Sequence, residues 1–547
     1  MFIMNIKITL FWLFLLGINL STYAQKDTTK QQTIDITSSY KPVIRNSPKV
    51  NFSATYLAAD TNKNVATYTI PPLNLFYKYQ PVTLKPLALN KDSVLELGSK
   101  NFIKIGYGNL SSPFASAKLS IGDGIKSLVN LSANYNSFKG GIENQEYAQL
   151  NAKLSASIFT QSNEVFGSFG MNQQDYHLYG YDHSFINFSK QAVLQQFKDL
   201  QWMVGIRNKI ANDLGIQYEP TVQVAIFNNQ LKFRENSVRI EIPVEKSMGD
   251  IFSVRFSVKT DINSNTSNSL VGNIHFNNTI FQLSPELIYH SNSILFHAGI
   301  RPSWDDGKFV VFPSFYGEAK IINQSLLLQA GYVGQIISNS FRNLSVINPY
   351  LHSFSSQRNT QEKEWYVGFK STASNHFSFS AKASLINYNN LPLYINDTSK
   401  DYKEFLVCYE SNITNLRFHA DMSFIKSNQL TITSGITYNG YKDLKLNPKA
   451  WGTIPLEFVT SIRWRASHQL QLKTDCKLFS GGPYLLKNNI QKTLSNGADL
   501  SLGVEFSINN KISAWVDANN LFNNKYERWH NYPVFGIQIA GGIIIKF

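Results

Sequence analysis

Ten histidines are scattered through the chain, and their spacing limits the chemistry the sequence can support. None forms His-x-His or His-Glu-x-x-His, the patterns that bring two imidazoles to one metal ion. His177 and His183 lie near Asp175 and Asp182 in what reads as an outer loop. That set offers a surface metal site, but its irregular spacing and lack of a further ligand favour a solvated loop end. His275, His290 and His297 fall in strand-like stretches and could meet a serine across a wall. A nucleophile and its base are recognised by geometry, and no spacing here marks one. Asp305-Asp306-Gly307-Lys308 reads as a turn, with Gly supplying positive φ, rather than a calcium loop. No Gly-rich phosphate loop or nucleic-acid module is visible, so the expectation is no enzyme, no cofactor and no nucleic acid. Cys408 and Cys476 are the only cysteines; both sit in strand-like runs and read as packing residues, too few for a disulfide framework.

The elements that carry these residues alternate. In Ser127 to Asn136, Val129, Leu131, Ala133 and Tyr135 share one face, and Asn130, Ser132, Asn134 and Asn136 the other. Leu150, Ala152, Leu154, Ala156 and Ile158 repeat the scheme against Gln149, Asn151, Lys153, Ser155 and Ser157. Leu500, Leu502, Val504 and Phe506 oppose Asp499, Ser501, Gly503 and Glu505. A period of two over such lengths predicts strands with one apolar and one polar face. Many exceed the ~5–6 residues usual in a soluble sandwich. After Gln25 no stretch approaches the ~20 apolar residues of a spanning helix, which leaves the closed barrel as the way to satisfy a backbone in lipid. The fold expected is all-β: a large antiparallel transmembrane barrel of roughly 18–24 strands, an even number. The parity is hardest to follow around residues 390–430.

Connections divide into short ones, such as 161–163, 426–429, 465–467 and 509–510, and long ones: 180–190, 338–364, 391–402, 441–455 and 480–496. Short periplasmic turns and long outer loops are the usual asymmetry of such barrels. The formal net charge of +14 points to anionic partners such as lipopolysaccharide or anionic solutes, met by a basic lumen or a basic surface; lysines spread over loops for solubility would give the same total.

Both ends of the chain carry export signals. Residues 1–24 read as a signal peptide: Lys7, an apolar run from Ile8 to Ile18, and small residues before Gln25. Residues 25–95 mix prolines with aromatics and read as a periplasmic or lumenal segment; 96–547 is the barrel. At the other end, Ile537, Ile539, Gly541, Ile543, Ile545 and Phe547 share one parity.

The stretch Asn519-Asn-Leu-Phe-Asn-Asn-Lys-Tyr526, followed by Tyr532-Pro533, Gly536 and a strand ending in Phe547, resembles the C-terminal end of TonB-dependent outer-membrane receptors. Asn348-Pro-Tyr-Leu351 and Trp451-Gly-Thr-Ile-Pro455 are similar to segments of receptor-like barrels of the Bacteroidetes type. The resemblance implies that Gly542, Ile545 and Phe547 form the insertion signal read by the outer-membrane barrel insertion machinery. It also implies solute uptake across the outer membrane. Residues 25–95 are shorter than the plug of such receptors, which implies a reduced or missing plug. Thr33, Ile34, Asp35, Ile36 and Thr37 resemble a TonB box, which pairs with TonB as an added strand. A simple edge strand fits the same residues. A passive porin and a non-transporting scaffold subunit fit the same shell.

Overall fold

The computed structural model describes residues 101–547 except 210–211, 213, 270–271, 323–324, 375 and 427–428. The signal peptide, the 25–95 segment and Thr33–Thr37 lie outside the described residues. The rest is a closed antiparallel barrel of 22 strands, an even number within the expected range.

The barrel closes where the first strand, Phe102–Gly108, pairs with the last, Gln538–Lys546, from Phe102↔Lys546 to Gly108↔Ala540. One strand is built in two pieces, Ile216–Tyr218 and Thr221–Asn229, both paired with Arg234–Met248. The break falls at Glu219-Pro220, where proline has no N–H to give to the ladder.

Alternation sets the two faces. Along Gly497–Ser507, Asp499, Ser501, Gly503 and Glu505 are buried, while Leu502, Val504 and Phe506 point outward and are exposed. Leu131 is likewise exposed on the outside. Aromatics mark both rims of the apolar band: Tyr107, Tyr135, Trp365 and Tyr438 near one end, Phe252, Trp464, Phe506 and Phe547 near the other. An outward apolar band between two aromatic girdles is the surface of a barrel seated in a bilayer.

Antiparallel order sends alternate connections to opposite ends, and length separates with them. One end has only short turns, the longest being 209–215, and it also carries Phe547. The other end gathers 178–193, 338–359, 390–412, 443–455, 480–496 and 520–537. Each long connection expected from the sequence is there, and 520–537 joins them. The difficult parity near residue 400 has a local cause. Leu391–Asn396 and Phe405–Glu410 form a separate hairpin within a loop, so these short runs belong to another sheet.

Candidate functional site: a roofed mouth above a charged lumen

The main core of the protein sits at the long-loop end rather than between layers of sheet. Tyr147, Tyr176, Phe197 and Phe227 stand near the ends of four successive strands and turn inward. Onto them fold Tyr179 and Tyr181 of 178–193, Phe341, Leu344, Tyr350 and Leu351 of 338–359, Tyr394 and Phe405 of the loop hairpin, and Trp529, Tyr532 and Phe535 of 520–537. Large apolar side chains in loops would be a liability in water; packed together across the mouth they bury one another.

Each segment is held by its own local chemistry. Ser340 caps the short helix Phe341–Ile347 by accepting from the Asn343 N–H. Arg342 of that helix is bidentate to Asp199 on the wall, at 2.9 and 3.0 Å. Asn520 is fully buried with φ of 49°. Its amide donates to the carbonyls of Asn524 and Phe535 and its oxygen accepts from the Asn524 N–H, so one side chain folds the 520–537 loop back on itself. Glu410 accepts the N–H groups of Lys445, Leu446 and Asn447, tying the hairpin to 443–455.

The centre of the roof is a stack of Tyr350 on Tyr532, centroids 3.5 Å apart and planes 18° from parallel. Tyr179 meets both edge-on, and its hydroxyl donates to the Pro533 carbonyl at 2.9 Å. The Tyr532 hydroxyl donates to the Lys403 carbonyl. Trp529 lies edge-on to Tyr394 and Phe405 with the Arg528 guanidinium 4.0 Å over its ring. Burial pushes the phenols of Tyr350 and Tyr532 well above their ordinary range, so both stay neutral. His352 bonds Glu404 at 2.6 Å, linking 338–359 to the hairpin. That hydrogen bond holds the imidazolium above its ordinary pKa, against the pull of partial burial.

Below the roof the lumen wall carries ion pairs. Lys104 and Lys473 share Asp517, Lys546 bonds Glu505, Lys477 bonds Glu457 and Arg463 bonds Asp475. On other strands Arg239 meets Asp261, Arg255 meets Glu245 and Lys382 meets Glu364. Charges with low exposure persist only when paired in this way. By contrast Lys442, Lys445, Lys449, Lys487, Lys492 and Lys525 are exposed on the outer loops. Part of the positive charge therefore stands on the loop surface, while the lumenal bases named here are neutralised.

The residues singled out from the sequence fall in different places. Ile545 and Phe547 face outward from the last strand, while Gly542 faces inward against Gly106. His177 and His183 contact the Glu146 and Tyr179 carbonyls, and Asp182 accepts from the Ser184 N–H. Among the described residues no three His, Cys, Asp or Glu side chains are grouped to hold a metal. Asp306 and Gly307 make the expected tight turn with φ of 49° and 81°. His297 does come near a serine: Ser314 donates to Glu286 at 2.6 Å, and His297 lies 3.8 Å from the same carboxylate. The serine serves the carboxylate and not the imidazole, which is not a nucleophile–base pair. Sequence reading missed the roof. Its available signal was the density of tyrosines and apolar residues in segments already read as loops, as in Tyr176-His-Leu-Tyr-Gly-Tyr181.

No family model matches the chain, and no curated protein matches it. Solved structures do. The FrpB iron transporter from Neisseria meningitidis (F3-3 variant) aligns with a TM-score of 0.64 at 12% identity, covering 82% of this chain and 81% of its own. The ferric-catecholate import receptor Fiu from E. coli K12, in its closed form, gives 0.63 at 9% identity, with 82% of each chain covered. The siderophore receptor PirA from Acinetobacter baumannii gives 0.62 at 10%, covering 82% of this chain and 80% of its own. At such identities the likeness is one of fold, and the fold it shares is the 22-strand barrel.

Proposed function

We propose that the chain is a TonB-dependent receptor-like protein of a Gram-negative outer membrane, of the Bacteroidetes type, that takes up a solute through a lumen roofed by its own loops. The observation that carries this reading is the Tyr350–Tyr532 roof over a closed barrel. A constitutive pore needs an open mouth, so the roof favours gated uptake over passive diffusion. The structural neighbours include an iron transporter, a ferric-catecholate import receptor and a siderophore receptor, which makes a ferric chelate the first cargo to try. In this reading residues 1–24 direct export, 25–95 act as a reduced plug, and Thr33–Thr37 pair with TonB. Gly542, Ile545 and Phe547 direct insertion, and the loop lysines meet lipopolysaccharide phosphates.

The test is single-channel conductance of the refolded mature chain with and without residues 25–95, combined with energised uptake after deletion of Thr33–Thr37. Conductance that appears only after the first deletion, with uptake abolished by the second, supports the reading. An intact chain that already conducts is a porin; silence from both forms points to a scaffold.

A further inference from the structure

The barrel wall is not uniform around its circumference. Between Gly272–His290 and Ile294–Asp305 the pairing runs from Ile280↔Asp305 to Gln282↔Ser303, stops, and resumes at Glu286↔Gly299. Pro285 and Pro302 stand in the gap, and Pro313 faces Ile300 from the next strand. Proline gives no N–H to a ladder, so three of them in neighbouring strands thin the hydrogen bonding of the wall at one place.

The two faces of this interruption differ. Toward the lumen the strands stay close because Gly299 has no side chain: a Cβ there would lie 2.5 Å from the Pro285 carbonyl oxygen and 2.6 Å from Glu286 Cγ. Glu286 closes the lumenal side, held by Ser314 and by Arg301. On the outside the same place is a shallow, open depression of about 420 Å³, bordered by Val254, Leu287, Ala298, Ile300 and Phe315.

Position decides what can fill it. The depression lies on the outward face, among the exposed side chains of the apolar band. It is nearer the short turn at 291–293 than the long-loop end. Water would find almost no polar partners there, and hydrocarbon is the medium that surrounds it. We propose that this notch is a seat for one acyl chain of a lipid from the leaflet on the short-turn side, placed where the wall is interrupted. A seated chain would occupy one fixed position on the circumference, unlike the exchanging lipid around the rest of the band.

The test uses the full mature chain in vesicles of phosphatidylethanolamine doped with the same lipid carrying a photoactivated diazirine on one acyl chain. Crosslinks are mapped by mass spectrometry on the heat-modifiable, folded fraction only. Labelling at Leu287, Ala298 and Ile300 is expected several-fold above that at Ile436 and Val516, which are equally lipid-facing. Ala298→Phe fills the notch and should bring labelling down to the control level, whereas Ile300→Ala enlarges it and should keep labelling high. Labelling equal to the controls, or indifferent to Ala298→Phe, overturns the proposal, as does capture of a protein segment at the notch in place of lipid.

Discussion

Gly106 and Gly542 face each other across the seam that closes the barrel. A Cβ on Gly542 would overlap the Ile105 carbonyl oxygen, and one on Gly106 would overlap the Trp515 ring. The indole of Trp515 lies over this bare patch, donating from Nε1 to the Ile105 carbonyl at 3.2 Å and taking the Lys104 ammonium 3.9 Å from its ring centroid. A glycine expected to belong to an insertion signal thus also has a structural task at the join of first and last strands.

Gly542→Val should therefore block closure. Overpacking of a fitted site commonly costs about 1–3 kcal/mol, and here the clash is with backbone. Gly541, one residue away and outward, has its nearest neighbour at 3.2 Å, so Gly541→Ala should leave most of the protein folded. Heat-modifiability on gels compares the two; equal loss would remove the seam from the explanation.

The lipid-facing assignment makes a second comparison. Leu502 is exposed on the outer face and Ser501 is buried on the lumenal one. Leu502→Arg puts a charge into hydrocarbon, at ~2–4 kcal/mol near the midplane, and should lower the yield of folded barrel more than Ser501→Arg. Refolding yield into lipid vesicles decides it.

Opening the roof is a third. Tyr532→Ala removes one half of the Tyr350 stack and the donor to the Lys403 carbonyl. Loss of a large buried aromatic costs about 3–5 kcal/mol, which should loosen the loops and raise conductance or solute entry. Tyr532→Phe keeps the ring and should stay near the parent. A closed Tyr532→Ala barrel would show that the roof does not gate the lumen.

The roof should also respond to pH through His352 and Glu404. Hydrogen bonding to Glu404 raises the folded pKa of His352 above its ordinary value of 6.5. A raised value means that the fold binds the proton more tightly, so the stabilisation is complete below the unfolded pKa and is lost as pH rises through the folded one. Lys400 opposes the imidazolium and Asp397 supports it. Protease cleavage within 338–359 should therefore increase on going from mildly acidic to mildly alkaline buffer. His352→Gln should flatten that dependence, and an unchanged profile in the variant would assign it elsewhere.

Much of the architecture is legible because alternation is a local property. Val129, Leu131 and Leu502 could be placed on the outer face from their neighbours alone, and the length of the runs, with no spanning helix, pointed to a closed barrel. The loop hairpin Leu391–Asn396 and Phe405–Glu410 shows where that reading stops. Its strands, Leu391-Pro-Leu-Tyr-Ile-Asn396 and Phe405-Leu-Val-Cys-Tyr-Glu410, are short runs without a period of two, and only their partners reveal that they belong to the roof.

The candidate site was much less legible. Gln145 donates to the Pro533 carbonyl across a sequence separation of 388 residues, and Tyr350 meets Tyr532 from the far side of several strands. Loops have no period from which such contacts can be read. The strand pattern, the polar and apolar faces and the sorting of short turns from long loops are local properties, because each depends on residues close in the chain. The inward fold of the long loops, the pairing of Lys104 and Lys473 with Asp517, and the meeting of Gly542 with Gly106 come from the tertiary structure alone. Those depend on barrel closure, which brings the two ends of the sheet and all its outer loops to one place.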